Sequence, residues 1–394
     1  MKSSNNSLKI KIIYFIKFFA DALFCGYMSM YFATFFSNNS LEYGILLGVI
    51  PFCSLIGNAI WGALSKDIKK NLMLAKIVMA LETLGMVLFT FVGSNFITLL
   101  IFTIFVSLFN SPYFTLQDGL GSFYSKKDDT SYISVRVKGS MGYLFALIVG
   151  AGLIKLFNEN YRIIFLISAS LNVVCFMVWN FVSKIKDVEN TQEIEKIKFS
   201  EVLKNKTFIL YFIAYLLIIG SNNVGDTYLY ARLSLNDIEP SMYSLVVALE
   251  VLLEVLVMLG ILKFIKEKHY FTILKISIVF MCLRSFFLGM NISLPYLMVF
   301  ASFRGIGWGG FIAVHLIVLR KIVSSNLVVK AISLLTIALS LLNGVFTICG
   351  TSIYSAISLP YFYLLLSMLT LIGIIIMINI KPSFMNEGDG KHEN

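Results

Sequence analysis

Apolar residues run through the chain in blocks of about 20, broken by short polar or Pro- and Gly-containing stretches, and each block is long enough to cross a hydrocarbon layer as a helix. The blocks predict spans at 12–35, 42–64, 72–92, 96–117, 132–154 and 163–183. After a polar stretch, six more follow at 207–231, 242–262, 271–289, 296–319, 331–351 and 361–380. The pattern predicts an all-α integral membrane protein of 12 transmembrane helices in two six-helix halves, residues 1–183 and 207–394, joined by a linker at 184–206. The first block is kept as a span, since Lys17 and Asp21 interrupt it and it runs past the length of a secretory signal. Pro51 and Pro112 fall inside spans and predict kinks, whereas Pro240, Pro295, Pro360 and Pro382 sit at span edges.

Composition agrees: 58% of residues are hydrophobic and 14% charged, against about a quarter charged in soluble proteins. Charge adds an orientation. Alternate connections, with the N- and C-terminal segments, hold 22 Lys and Arg, and the opposite connections hold only Lys155, Arg162 and Arg232. Cationic segments stay on the cytoplasmic side, so both termini are predicted cytoplasmic in the cell membrane. The net charge of +10 is then a topology signal with some attraction to anionic lipid, and no nucleic-acid partner is needed to explain it. Residues 184–206 carry six Lys among five acids, with Ile194, Ile197, Val202 and Leu203 on one helical stripe. They read either as a surface-lying helix or as a solvated linker.

The five cysteines are scattered singly and show neither a disulfide framework nor metal-ligand spacing, and no cofactor is expected. Gly305, Gly307 and Gly310 satisfy G-x-G-x-x-G, but no strand precedes them, and in an apolar span such glycines predict close helix approach. Gly142, Ala146 and Gly150 are small residues at four-residue spacing, which also favours close helix packing. No H-E-x-x-H or G-x-S-x-G motif occurs, which argues against an enzyme.

Ionised groups inside a bilayer cost about 2.5–3.5 kcal/mol each, so they should face water or each other. Lys76, Lys138 and Lys275 lie near span ends and can snorkel. Lys17 and Asp21 are four apart and are expected to neutralise each other. Glu250 and Glu254 have the same spacing and cannot, which requires a proton or a cation. Arg284 and Arg304 are the available cations, and Asp226 lies at a depth comparable to Arg304. His315 follows Arg304 by 11 residues, about 20° beyond three full turns, so both point to one side. It reads either as a core histidine bonded to a carbonyl or as part of a proton path. Trp308, one turn after Arg304, presents a ring on that side.

The most informative stretch is Asp118 to Tyr143, with Arg136 18 residues after Asp118 and Gly139, Ser140, Gly142 and Tyr143 following at fixed spacing. An acid followed by R-x-x-G-[small]-x-G-[aromatic] resembles the lactose permease branch of the major facilitator superfamily, the oligosaccharide and nucleoside proton symporters. The resemblance implies that Asp118 and Arg136 bind substrate hydroxyls, with a contact to each other as a further option. It also implies that Tyr143 stacks on a ring. A planar guanidinium fork, a carboxylate acceptor and an aromatic face suit such a solute. Two departures stand out. After Gly62 and Leu64 the loop carries Lys66, Asp67 and Lys69 where the superfamily has an acid, a base and a glycine, and His315 lacks a carboxylate one turn on.

These readings predict a monomeric secondary transporter that takes up a small polar solute with protons. Asp118, Arg136, Tyr143, Asp21 and Trp308 are its candidate substrate contacts; Glu250, Glu254, Arg284, Arg304, Asp226 and His315 are its candidate proton-coupling group. With 35 Phe, 19 Tyr and 3 Trp, proton-driven export of an amphipathic compound is the alternative, and a transport-inactive sensor the alternative of another class.

Overall fold

With no water to bond their backbones, long apolar runs have to satisfy N–H and C=O groups internally, and the computed structural model shows them as helices. The structure describes residues 6–38, 40–65, 68–128, 132–182, 199–266, 269–323 and 327–380, and no strand occurs among them. The first six long helices are α1 (Asn6–Ala33), α2 (Leu41–Leu64), α3 (Ile68–Thr90), α4 (Phe96–Lys127), α5 (Tyr132–Leu156) and α6 (Tyr161–Asn180). A four-residue turn, α7 (Phe199–Val202), precedes α8 (Lys206–Tyr215), a π-helical segment (Leu216–Gly220), α9 (Ser221–Thr227) and α10 (Leu229–Ser234). The chain continues through α11 (Pro240–Phe264), α12 (Tyr270–Leu288), α13 (Leu294–Ala301), α14 (Phe303–Ile322), α15 (Val328–Ile357) and α16 (Leu359–Ile378).

Eleven stretches among the described residues are long and apolar enough to cross a membrane. The twelfth predicted span is α1, whose 28 residues include Lys9, Lys11, Lys17 and Asp21. Helices α2 and α4 run on through Pro51 and Pro112. Two predicted spans are broken: 207–231 is α8, the π-helical segment, α9 and α10, and 296–319 is interrupted at Ser302 between α13 and α14. Ile194 and Ile197 of the 184–206 stripe, and Lys66 and Asp67 of the departing loop, lie outside the described residues.

The chain divides into two compact units, residues 1–193 with 239–248, and residues 194–238 with 249–394. In unit 1, α1 packs on α5 and α6, and α3 on α4. A Cβ at Gly142 of α5 would collide with the Phe15 carbonyl, so α1 and α5 meet backbone to backbone. Tyr14, Val78, Met79, Tyr113 and Trp179 form the inner layer. In unit 2, α12 packs on α14 and α16 around Tyr211, Ile218, Met281, Val314 and Met377. Large apolar side chains such as Ile97 of α4 and Met368 and Ile375 of α16 stay exposed, the outer face expected of helices bathed in lipid.

Arg232 is not the exposed connecting cation its position suggests. It sits in α10 at 2% exposure, its Nε donating to the Leu288 carbonyl at 2.6 Å, Nη2 to Met290 O at 2.9 Å and Nη1 to Asn236 Oδ1 at 2.9 Å. A guanidinium fork thus satisfies carbonyls at the end of α12, where the helix dipole favours a cation. Charge-assisted bonds of this kind contribute about 1.5–3 kcal/mol each. Arg232→Met is expected to lower the apparent melting temperature of the purified protein by several degrees, and Arg232→Lys to recover only part, because an ammonium does not match three fixed acceptors.

Candidate functional site

The breaks in unit 2 fall where charge gathers. Asp226 is next to last in α9, just before Tyr228 leaves the helical path at φ −99°, and the Tyr363 hydroxyl donates to the preceding carbonyl, Gly225 O, at 2.5 Å. Arg304 opens the first turn of α14, directly after the interruption at Ser302. Discontinuous and π-helical segments recur at functional sites because they re-aim side chains and free backbone groups.

Five side chains predicted to couple protons meet here. Asp226 holds Arg284 at 2.6 Å and Arg304 at 2.5 Å, one guanidinium on each carboxylate oxygen. Glu250 lies 3.9 Å from both Arg284 and Arg304, and Glu254 lies 3.8 Å from Arg304. Arg284 is fully buried and the Glu250 side chain 3% exposed, while those of Asp226 and Arg304 are each 25% exposed. Three carboxylates thus surround two guanidiniums, leaving one acid in excess. The close pairs belong to Asp226. The glutamates stand beyond hydrogen-bond length from the arginines, at 3.8 and 3.9 Å.

Glycines seat the glutamates. A Cβ at Gly305 would strike the Glu250 carbonyl, and one at Gly309 would lie 2.6 Å from the Glu254 carbonyl, so α14 touches the backbone of α11 at the two residues that carry the acids. Close approach was predicted from Gly305, Gly307 and Gly310; Gly305 provides it here, and Gly309, which the spacing did not single out, provides it one turn on.

His315 stands apart from the charges. The Arg304 guanidinium lies 5.8 Å from the Trp308 ring centre; Trp308 stacks on Phe311 at 6.0 Å, and Phe311 on His315 at 4.9 Å. His315 Nδ1 and the Tyr211 hydroxyl share a hydrogen bond at 2.5 Å, so the histidine's partner is a phenol rather than a carbonyl. One face of α14 therefore runs from guanidinium through aromatic rings to imidazole.

In unit 1 the Asp118 carboxylate accepts from the Tyr14 hydroxyl at 2.7 Å, and the Arg136 guanidinium lies 4.5 Å from the Phe18 ring centre, one turn along α1 from Tyr14. Asp118 and Arg136 form no ion pair within 4.0 Å, which corrects the suggested contact between them. Arg136 Nη1 is buried without a hydrogen-bond partner, so the guanidinium keeps a donor unused. Tyr143 lies beside Gly26 of α1, its hydroxyl 3.8 Å from where a Cβ would stand.

The expected Lys17–Asp21 neutralisation does not form. Lys17 Nζ instead reaches both oxygens of Glu82 in α3, at 2.7 and 2.8 Å, with both side chains fully buried. A bidentate partner inside the packed unit wins over a neighbour one turn along the same helix, because only the former is also removed from water. Asp21 is bonded instead to the Asn110 amide. Sequence reasoning passed over Tyr14 and Asn110, whose one signal was a hydrogen-bonding group within an apolar span.

The sequence model of the MFS_1 like family matches residues 7–375. The chain is 21% identical over 370 residues to the uncharacterized transporter YwbF of Bacillus subtilis (strain 168), covering 92% of this chain and 90% of that protein. Among solved structures, it is similar to the nucleoside transporter NupG, with a TM-score of 0.76, 15% identity, and 95% of this chain and 99% of that one covered. A bacterial homolog of the human lysosomal transporter Spinster, inward-facing and unoccupied, has a TM-score of 0.66 at 13% identity, with 98% and 97% covered.

Proposed function

Because the chain belongs to the MFS_1 like family, and is a multi-pass transporter rather than an enzyme, we propose that it takes up a small polar solute, a sugar or nucleoside, together with protons by alternating access. The observation that carries the coupling is the buried excess of one carboxylate in unit 2. With Asp226 fixing both arginines, Glu250 and Glu254 are the groups that exchange protons, and their neutral and ionised forms favour different arrangements of α11 against α14. In unit 1, Arg136, with its unused donor, and Asp118, held by Tyr14, bind solute hydroxyls, with Tyr143 as a ring contact; in unit 2, Trp308 offers a ring of its own. His315 extends the proton path along α14. The charge asymmetry of the connections supports cytoplasmic termini in the cell membrane, and the protein acts as a monomer.

The test is uptake of radiolabelled uridine, adenosine and lactose into proteoliposomes under an imposed inward proton gradient, with an inward sodium gradient as comparison. Proton-driven accumulation of one of them is expected, and its loss in Arg136→Ala. The double variant Glu250→Gln with Glu254→Gln is expected to abolish accumulation against a gradient while leaving downhill exchange. Unchanged accumulation in the double variant overturns coupling through these acids, and expulsion of solute by the gradient marks export instead.

A further inference from the structure

The arginine motif of α5 contains a glycine that no solute contact uses. Gly139 follows Arg136 by three residues, and both meet the same ring of α1. A Cβ at Gly139 would stand 2.9 Å from Phe18 Cδ2 and 3.0 Å from Cε2, while the Arg136 guanidinium lies 4.5 Å from the centre of that ring. Residues three apart share a helix face, so the side chain missing at Gly139 is the space that admits the ring next to Arg136. Elsewhere the ring is bounded by Phe114 of α4, edge-on at 4.8 Å, and by Tyr14 of α1, stacked at 6.0 Å. A methyl group at Gly139 would drive it against one of them. Tyr14 in turn donates to Asp118 at 2.7 Å, so the ring that meets the guanidinium adjoins the side chain that holds the acid.

How Arg136 is held decides what it has left to offer. A carboxylate partner would consume guanidinium hydrogens, whereas an aromatic face attracts the cation and consumes none. Arg136 Nη1 is buried without a hydrogen-bond partner, a cost that a solute hydroxyl accepting from it removes.

We propose that Phe18 is a positioning residue for Arg136, seated by Gly139, which fixes the guanidinium while leaving its donors free. This role rests on the reading of Arg136 as a solute contact and adds what orients it. It also gives the R-x-x-G spacing a physical reason, because an arginine and a glycine three apart enclose one ring between them.

Two readouts on the full-length protein separate positioning from packing. The first needs no solute: phenylglyoxal labelling of Arg136 in the purified protein, read by peptide mass spectrometry against exposed Arg320 as the internal reference. Phe18→Leu, which removes the ring, is expected to raise the labelling rate of Arg136 severalfold, and Phe18→Tyr, which keeps a ring, to bring it back towards the parent's. The second is uptake kinetics in proteoliposomes with whichever of uridine, adenosine and lactose the parent accumulates. Phe18→Leu is expected to raise KM about tenfold, the worth of one desolvated cation–π contact, with Vmax within about twofold, and Phe18→Tyr to recover most of the loss. Gly139→Ala is expected to raise KM alone but to add nothing to Phe18→Leu, whose smaller side chain leaves room for the methyl group. Unchanged Arg136 labelling in Phe18→Leu overturns the positioning role, as does a fall in Vmax at constant KM, or additive effects of Phe18→Leu and Gly139→Ala. An unaltered KM in Arg136→Ala, with labelling still raised in Phe18→Leu, overturns instead the reading of Arg136 as a solute contact and leaves the ring as what fixes it.

Discussion

Replacing Asp226 with Asn is expected to be the most damaging single charge neutralisation in unit 2, ending accumulation of solute and lowering the apparent melting temperature by several degrees. Asp226 makes both short contacts of the cluster, 2.6 Å to Arg284 and 2.5 Å to Arg304, while every glutamate–arginine distance is 3.8 Å or more. Without it, the carboxylate left within 4.0 Å of the fully buried Arg284 among the described residues is Glu250, at 3.9 Å. Removing one partner of a buried ion pair costs about 3–5 kcal/mol, because the other charge stays behind uncompensated. The quarter exposure of Asp226 and Arg304 admits screening, which places the cost at the lower end, about 3 kcal/mol. Glu254→Gln is the control: its 3.8 Å contact to Arg304 is not a short pair, and its loss should move the melting temperature much less. The comparison is read from thermal unfolding of the purified protein in one detergent. Equal shifts in the two variants would mean that Asp226 does not anchor the arginines.

What the sequence disclosed and what it hid follow one physical division. Hydropathy located the spans because burial in lipid acts on every residue of a 20-residue window. The breaks were invisible because Leu216–Gly220 reads Leu-Leu-Ile-Ile-Gly, as apolar as any unbroken turn, and the interruption at Ser302 has no proline within it. The meeting of Asp226, Glu250, Glu254, Arg284 and Arg304 was legible from cost alone, since five ionisable groups in four spans have few places to go. The alignment of Arg304 and His315 was legible from helix phase, whereas the phenol that His315 bonds was not. Pairing across helices defeated local reasoning at Lys17, where Asp21 at four residues looked the natural partner and Glu82, 65 positions away, took the ammonium. The separation of Asp118 and Arg136 has the same origin: Tyr14 and Phe18 of α1, one turn apart, each hold one of them, a contact that no spacing within 118–143 encodes.

Substitution of Gly305 by Ala should abolish transport, although a methyl group is the smallest side chain that can be added. In a helix interior, Gly→Ala ordinarily stabilises by about 1 kcal/mol. At Gly305 the new Cβ meets the Glu250 carbonyl, which is backbone and has no rotamer to yield, and Leu253 Cβ at 2.9 Å blocks a sideways escape. Overpacking costs about 1–3 kcal/mol, enough to cancel or reverse the helix gain, and relief comes only by moving α11 away from α14. That movement carries Glu250 further from Arg284 and Arg304, which it already approaches no closer than 3.9 Å, and so uncouples the acid from its cations. Gly260, on α11 with nothing within 4 Å of its own Cβ position, supplies the comparison. Gly260→Ala is expected to leave uptake unchanged and to raise thermal stability slightly, while Gly305→Ala lowers stability and loses proton-driven accumulation. Full accumulation in Gly305→Ala would show that the contact between α14 and the Glu250 backbone has no part in holding that carboxylate against the arginines.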